Sequence, residues 1–169
     1  TYLAYGKNKY QLDLNVGTID SLSLNKKADI IIYSHVFEHI LDLNSELQKI
    51  RNYLKDDGYL YIEVPGIKNI IIPYKIDFLK YLQNAHVYYF SLNSLKNIMH
   101  KNHFIFLSGN EKIESLFQKQ KVFDFKIKSY YKFIVLYLKA LELLRYIFIT
   151  IFFLKDRILK KILHRKIHN

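Results

Sequence analysis

Cysteine is absent from this chain, so it has no disulfide frame, no thiolate nucleophile and no thiolate metal ligand. That composition agrees with a cytoplasmic protein. Glycine is sparse, with five residues and no G-x-G-x-x-G-like cluster among them, so the usual glycine-rich phosphate or dinucleotide cradle is missing from this sequence. A clean apolar stretch of the ~20 residues that a bilayer span requires is missing as well. Residues 133–154 come nearest, but Lys139, Glu142 and Arg145 interrupt them and the longest uncharged run is Tyr146 to Leu154. A simple transmembrane helix is therefore not expected.

What is present is unevenly distributed. Residues 1–118 carry 13 Lys/Arg against 12 Asp/Glu, whereas 119–169 carry 13 against 3, so almost all of the net charge of +11 sits in the last third. The pattern divides the chain into a near-neutral domain, 1–121, and a basic, apolar-rich helical appendage, 122–169, with the boundary in the segment KQKVFDFKIK. Within the appendage Ile151, Phe152, Ile158, Leu159, Ile162 and Leu163 recur at helical spacing, and Lys155, Arg157, Lys160, Lys161, Arg165 and Lys166 fill the other turns. Such a cationic amphipathic helix suits an anionic membrane surface, which would place the protein at the inner face of the membrane. It equally suits a helical hairpin packed on the domain, or a homodimer through residues 133–167. The charge is sufficient for phosphate contacts, but no nucleic-acid reading module accompanies it, so nucleic acid is not an expected partner.

The most informative stretch is Ala28 to Pro65. Ile30, Ile31, Ile32 and Tyr33 form an apolar run without alternation, which predicts a central parallel strand covered on both faces. From Leu43 the period changes, with Leu43, Leu47, Ile50 and Leu54 at helical spacing and Glu46, Lys49, Arg51 and Lys55 on other faces. Asp56-Asp57-Gly58 supplies a helix stop with Gly58 in the left-handed region, and Tyr59 to Val64 resumes strand character up to Pro65. This is a βαβ unit, whose ligand crevice lies beyond the carboxyl ends of its strands, at Ser34 to Val36 and Glu63 to Gly66. An antiparallel strand pair is expected near Phe104 to Ile113 and Glu114 to Lys121.

The hinge His35-Val36-Phe37-Glu38-His39 resembles the HVLEH-like motif of class I S-adenosylmethionine-dependent methyltransferases of the small-molecule and sugar-type branch. Leu54-Lys55-Asp56-Asp57-Gly58-Tyr59-Leu60 is similar to that family's L-K-P-G-G-x-L turn, with Asp-Asp in place of Pro-Gly. Val16 to Leu22 resembles its adenine-contacting loop, and His86 to Ser91 with Ser94 to Met99 resembles the entry into its last helix. The resemblance implies a partial Rossmann-like α/β sheet, mainly parallel with an antiparallel last strand. It implies S-adenosylmethionine as cofactor and a small-molecule acceptor, for instance a sugar or glycan precursor. Gly17, Thr18 and Ile19 are then expected at the adenine, Ser34 and His35 at the methionine end, and His35, Glu38 and His86 on the acceptor side as catalytic candidates. The family's first motif, the glycine-rich turn, is not found, so either an N-terminal βαβα unit precedes Thr1 or the fold serves as a non-catalytic scaffold.

Each hinge residue also has a plainer reading. His35 is either a base for an acceptor hydroxyl or a residue that shapes the pocket; Glu38 either binds substrate or begins a helix; His39 is assigned to supporting a neighbouring site residue or to packing; and His86 either faces the crevice or is an ordinary loop histidine. His35-x-x-Glu38-His39 also matches the H-x-x-E-H arrangement of zinc peptidases, which needs both histidines on one helical face. Its context, directly after a buried strand and without an obvious third ligand, argues against that chemistry, and no metal ligand is assigned.

Overall fold

The computed structural model describes residues 2–121, 126, 127 and 129–167, with 149 and 152–167 described as backbone alone. Helix α1 (Tyr2–Tyr10) leads into an extended segment with a 3₁₀ turn at Ile19–Ser21, and then into strand β1 (Ala28–Ser34). A second 3₁₀ turn, Phe37–His39, connects β1 to helix α2 (Leu43–Tyr53) and strand β2 (Leu54–Glu63). After a long irregular segment holding the short helix α3 (Phe78–Tyr81) come helix α4 (Leu92–Lys101), strands β3 (Phe104–Gly109) and β4 (Glu114–Lys119), and helix α5 (Tyr131–Ile167). The four strands form one mixed sheet in the order β1-β2-β4-β3. β1 and β2 are parallel, and β4 runs antiparallel to both β2 and β3.

Helix α2 follows from its sequence. The Asp42 carboxylate accepts the backbone N–H groups of Asn44 and Ser45, each at 3.1 Å, and so caps two of the donors that a helix start leaves unpaired. Leu43, Leu47 and Ile50 are buried, as their spacing predicts, against Leu54, Leu60, Ile62, Phe104 and Phe117 of the sheet and Leu95 and Met99 of α4. The same logic starts α4, where Ser91 and Ser94 cap each other's backbone.

Two expectations are corrected. Ile30 and Ile32 are 49% and 62% exposed, so β1 is not covered on both faces. Its register sets Ile31 and Tyr33 beside Leu60 and Ile62 on the face that α2 covers, whereas Ile30 and Ile32 pair with Tyr59 and Tyr61 on the open face. Among the described residues β1 is also an edge strand. Gly58, in turn, has no left-handed conformation. The chain leaves α2 at Tyr53 with Leu54 already extended, and the excess residues are absorbed by a register shift between Ala28 and Ile30. Glycine fits at 58 because a Cβ there would lie 3.0 Å from the Lys55 carbonyl oxygen and 3.1 Å from the Leu54 side chain.

The appendage begins as one continuous helix rather than a hairpin. Leu141 of α5 is buried with Ile67, Ile70 and Tyr81, forming a second, smaller core beside the long segment between β2 and α4. The Tyr137 hydroxyl donates to the Lys68 carbonyl at 3.1 Å. The basic positions expected from Lys155 to Lys166 lie outside the described side chains. No helix among the described residues is long and apolar enough to cross a membrane.

Candidate functional site

The hinge after β1 is built by a conflict between strand and turn. His35 donates its N–H to the Glu63 carbonyl at 2.8 Å, one hydrogen bond beyond the end of the parallel ladder, and it does so at φ 53°. A non-glycine residue in this left-handed region costs about 1–3 kcal/mol and persists only where its surroundings hold it. The turn that follows drives Phe37 into the core, with its ring 6.3 Å from that of Tyr33 and 5.7 Å from that of Phe90. Glu38 is carried inward with it and is 1% exposed.

A second loop is tied onto this turn. The Glu38 carbonyl accepts the N–H groups of Val87 and Tyr88 at 2.9 and 3.2 Å, and the Tyr88 hydroxyl donates to the Leu41 carbonyl at 3.0 Å. These bonds bring His86 to the hinge. The Glu38 Oε1 atom then has His35 Nδ1 at 3.6 Å, His39 Nε2 at 3.8 Å and His86 Nε2 at 3.9 Å. His39 Nδ1 lies 2.8 Å from the Ala85 carbonyl oxygen, and the His39 and His86 rings meet edge to face at 4.9 Å. Among the described residues neither oxygen of the buried Glu38 carboxylate has a hydrogen-bond partner. Glu38, His39 and His86 each present one ligand-type atom, all within 4.8 Å of one another.

Access comes from the strand ends. The His35 side chain is 60% exposed, and its Nε2 lies 3.9 Å from Glu63 Oε1. Ser34 Oγ donates to Glu63 Oε2 at 3.1 Å. His35, Glu63, Asn69, Tyr74, Tyr81 and Lys112 are among the residues lining a cavity of about 190 Å³ there. Tyr81 is buried and donates its hydroxyl to the Pro65 carbonyl at 2.7 Å; burial, together with the neighbouring Tyr74, Tyr89 and Glu38, holds that phenol protonated far above the ordinary tyrosine range.

A larger cavity, about 640 Å³, lies between the 15–24 segment and the covered face of β1. Val16, Ile19, Leu22, Leu24 and Ile31 give it apolar walls, and Thr18, Ser21 and Tyr33 add polar atoms. The Tyr33 hydroxyl donates to Glu46, and burial followed by that hydrogen bond raises its pKa well above the ordinary value. A Cβ at Gly17 would sit 2.2 Å from Ser21 Oγ, so a side chain there would displace the hydroxyl that closes the 3₁₀ turn.

The expected residues therefore fall in two places. Gly17, Thr18 and Ile19 line the larger cavity; Ser34 and His35 stand at the strand ends; and His35, Glu38 and His86 converge on one carboxylate. His39, expected from sequence to support a site residue or to pack, belongs to the same cluster. Its signal was the motif itself, but its partner Ala85 is 46 residues away along the chain. The zinc-peptidase geometry is not formed, because the motif spans a left-handed residue and a 3₁₀ turn instead of one helical face.

A family model described as a methyltransferase domain matches residues 7–108. No curated protein sequence matches the chain. Among solved structures, an S-adenosylmethionine-dependent methyltransferase from Thermotoga maritima, described as a possible histamine N-methyltransferase, superposes with a TM-score of 0.54 at 17% identity, over 71% of this chain and 69% of that one. That likeness carries the fold, and the family match carries the membership. The chain, with its hinge of three histidines on a buried glutamate and its mixed sheet, belongs to the methyltransferase domain family, of the class I S-adenosylmethionine-dependent type.

Proposed function

We propose that the protein transfers a methyl group from S-adenosylmethionine to a small polar acceptor, of the sugar or glycan-precursor type, bound at the carboxyl ends of β1 and β2. The observation that carries this reading is the convergence of His35, Glu38 and His86 at those strand ends within a methyltransferase domain. The residues present fit the cofactor in part. The apolar walls beside Thr18 and Ile19 suit the faces of an adenine, and 640 Å³ is ample for it. Gly17, Ser34 and His35 then complete the cofactor set. When bound, the cofactor supplies an electrophilic methyl group on a sulfonium sulfur.

His35 is the acceptor-side residue open to solvent, so it takes the proton of an attacking hydroxyl and passes it to water. The Glu38 carboxylate, buried at the centre of the cluster, faces the imidazoles of His35, His39 and His86. The His35, Glu63, Asn69 and Lys112 side chains at the 190 Å³ cavity offer hydrogen-bond partners for a hydroxyl-bearing acceptor. Methyl transfer otherwise needs in-line positioning, which a rigid hinge provides.

Two further parts belong to this reading. The unpaired edge of β1, with Ile30 and Ile32 exposed beside it, is suited to a further strand that carries the glycine-rich cradle the sequence lacks. The segment 122–169 serves as a basic appendage docked on the 1–121 domain through Tyr137 and Leu141, and the exposed Phe133, Leu136, Leu143 and Phe148 of α5, with the basic tail, suit an anionic membrane surface or a second copy of the chain. The test is methyl-labelled S-adenosylmethionine supplied to the natural gene product with panels of sugars, sugar nucleotides and amines. Label in a sugar supports the reading, label in an amine alone corrects the acceptor, and neither transfer nor cofactor binding points to a non-catalytic scaffold.

A further inference from the structure

We propose that Glu38, His39 and His86 bind a divalent transition-metal ion of the zinc type. The Glu38 carboxylate is 1% exposed, yet among the described residues neither of its oxygens has a hydrogen-bond partner. A buried carboxylate left in that condition is costly unless a cation or donors compensate it. The surrounding nitrogens, at 3.6–3.9 Å, stand too far off to be hydrogen-bond donors. The spacing suits an interposed ion. An ion about 2.1 Å from two atoms separated by 3.8–3.9 Å subtends an angle of roughly 130–135°, within reach of a distorted tetrahedral site. The widest separation in the set, at most 4.8 Å, closes by roughly 0.5–1 Å with small rotations of the two rings.

The orientation of His39 is an independent sign. Its Nδ1 faces the Ala85 carbonyl at 2.8 Å, and a carbonyl only accepts, so the proton sits on Nδ1 and the lone pair on Nε2 is turned toward Glu38. A backbone carbonyl that fixes the tautomer of a histidine from behind is the usual support of a metal-bound imidazole. Two imidazoles and one carboxylate favour zinc, iron(II) or cobalt(II) over the oxygen-preferring magnesium and calcium. With three protein ligands the ion keeps an open position, and the exposed His35 stands 3.6 Å from the same Glu38 oxygen. The binding does not depend on methyl transfer. Its role does rest on the function proposed above: an acceptor hydroxyl held on the ion is more acidic, and His35 removes its proton before the oxygen attacks the methyl group.

The test uses the full chain with His164 and His168 replaced by Asn, so that tail histidines cannot contribute. Cobalt(II) titration is expected to give one equivalent bound, with visible d–d absorption that zinc displaces. E38Q and H86N are expected to weaken binding by about 100-fold, whereas H103N leaves it unchanged. Absence of cobalt and zinc uptake by the folded chain, or uptake indifferent to E38Q and H86N, overturns the proposal. Should E38Q unfold, the imidazole ring proton signals of the wild-type domain decide: those of His39 and His86 broaden first on adding cobalt if the site is real, and equal broadening of His103 refutes it. Methyl transfer by a wild-type chain that takes up neither cobalt nor zinc leaves the proposed function standing; metal binding without any transfer leaves the site standing.

Discussion

The two faces of the sheet are made from the same kinds of residue and end in opposite environments. On one face Leu60, Ile62 and Phe117 are wholly buried under α2 and α4; on the other Ile30, Ile32, Tyr59 and Ile105 remain 36–62% exposed. Apolar and β-branched character makes both faces strand-like, but only the placement of α2 and α4 turns one into a core. Burial is a property of the partner as much as of the strand, and the functional hinge sits where the covered face ends, with Phe37 plugged into the core and Glu38 drawn in after it.

The sharpest way to test that contrast is to truncate one residue on the covered face. Leu60→Ala, which empties a fully buried position, should cost about 3 kcal/mol by urea denaturation. A cost under about 1 kcal/mol would mean that α2 and α4 are loosely packed. Next in size is Tyr33→Phe, also on the covered side, which removes the hydroxyl that reaches Glu46; the loss should be about 1 kcal/mol in the same experiment.

A pH effect follows from α4. Burial, reinforced by Lys96, lowers the pKa of His100 below its ordinary 6.5, and its Nε2 accepts the Phe106 N–H at 3.3 Å. The folded state therefore binds this proton less readily than the unfolded state does. Its contribution is complete above about pH 6.5 and is lost as the pH falls through the lowered folded value. H100Q, which preserves an acceptor for Phe106, should show a smaller decline in unfolding free energy between pH 7 and 5 than the wild type; an identical decline would place the protonation elsewhere. The smallest effect belongs to the open face. Ile32→Thr should shift stability by no more than about 0.5 kcal/mol while reducing self-association at high concentration. A shift comparable to that of Leu60→Ala would show that this face is covered in solution.

Much of the fold was legible from local pattern. The spacing of Leu43, Leu47 and Ile50 located α2 and its buried face. The antiparallel pair near residues 104–119 was expected from its β-type runs. The open face was not legible, because the run Ile30 to Tyr33 has no alternation that separates a covered side from an uncovered one. Nor was the role of Gly58, where composition suggested a helix stop and the structure uses the missing Cβ for a close approach to Lys55 and Leu54.

The site divides in the same way. His35, Glu38 and His86 were named from a motif and a following loop, yet their meeting depends on hydrogen bonds from Val87 and Tyr88 to the Glu38 carbonyl, nearly 50 residues distant in sequence. His39 was expected to support or pack the site, and its particular neighbours Ala85 and His86 were not legible because the fold alone brings them in. The motif specifies the turn; tertiary structure specifies its company.

The central claim is that the crevice around Glu38 is the acceptor side of a methyltransferase. The most direct measurement is the steady-state methyl transfer of H86N against the wild type, with cofactor affinity measured in parallel by calorimetry. The account predicts that kcat falls about 100-fold or more while cofactor affinity changes less than about twofold, since His86 stands beside Glu38 and not in the cavity around Thr18 and Ile19. An unchanged kcat, or a loss confined to cofactor binding, would contradict it.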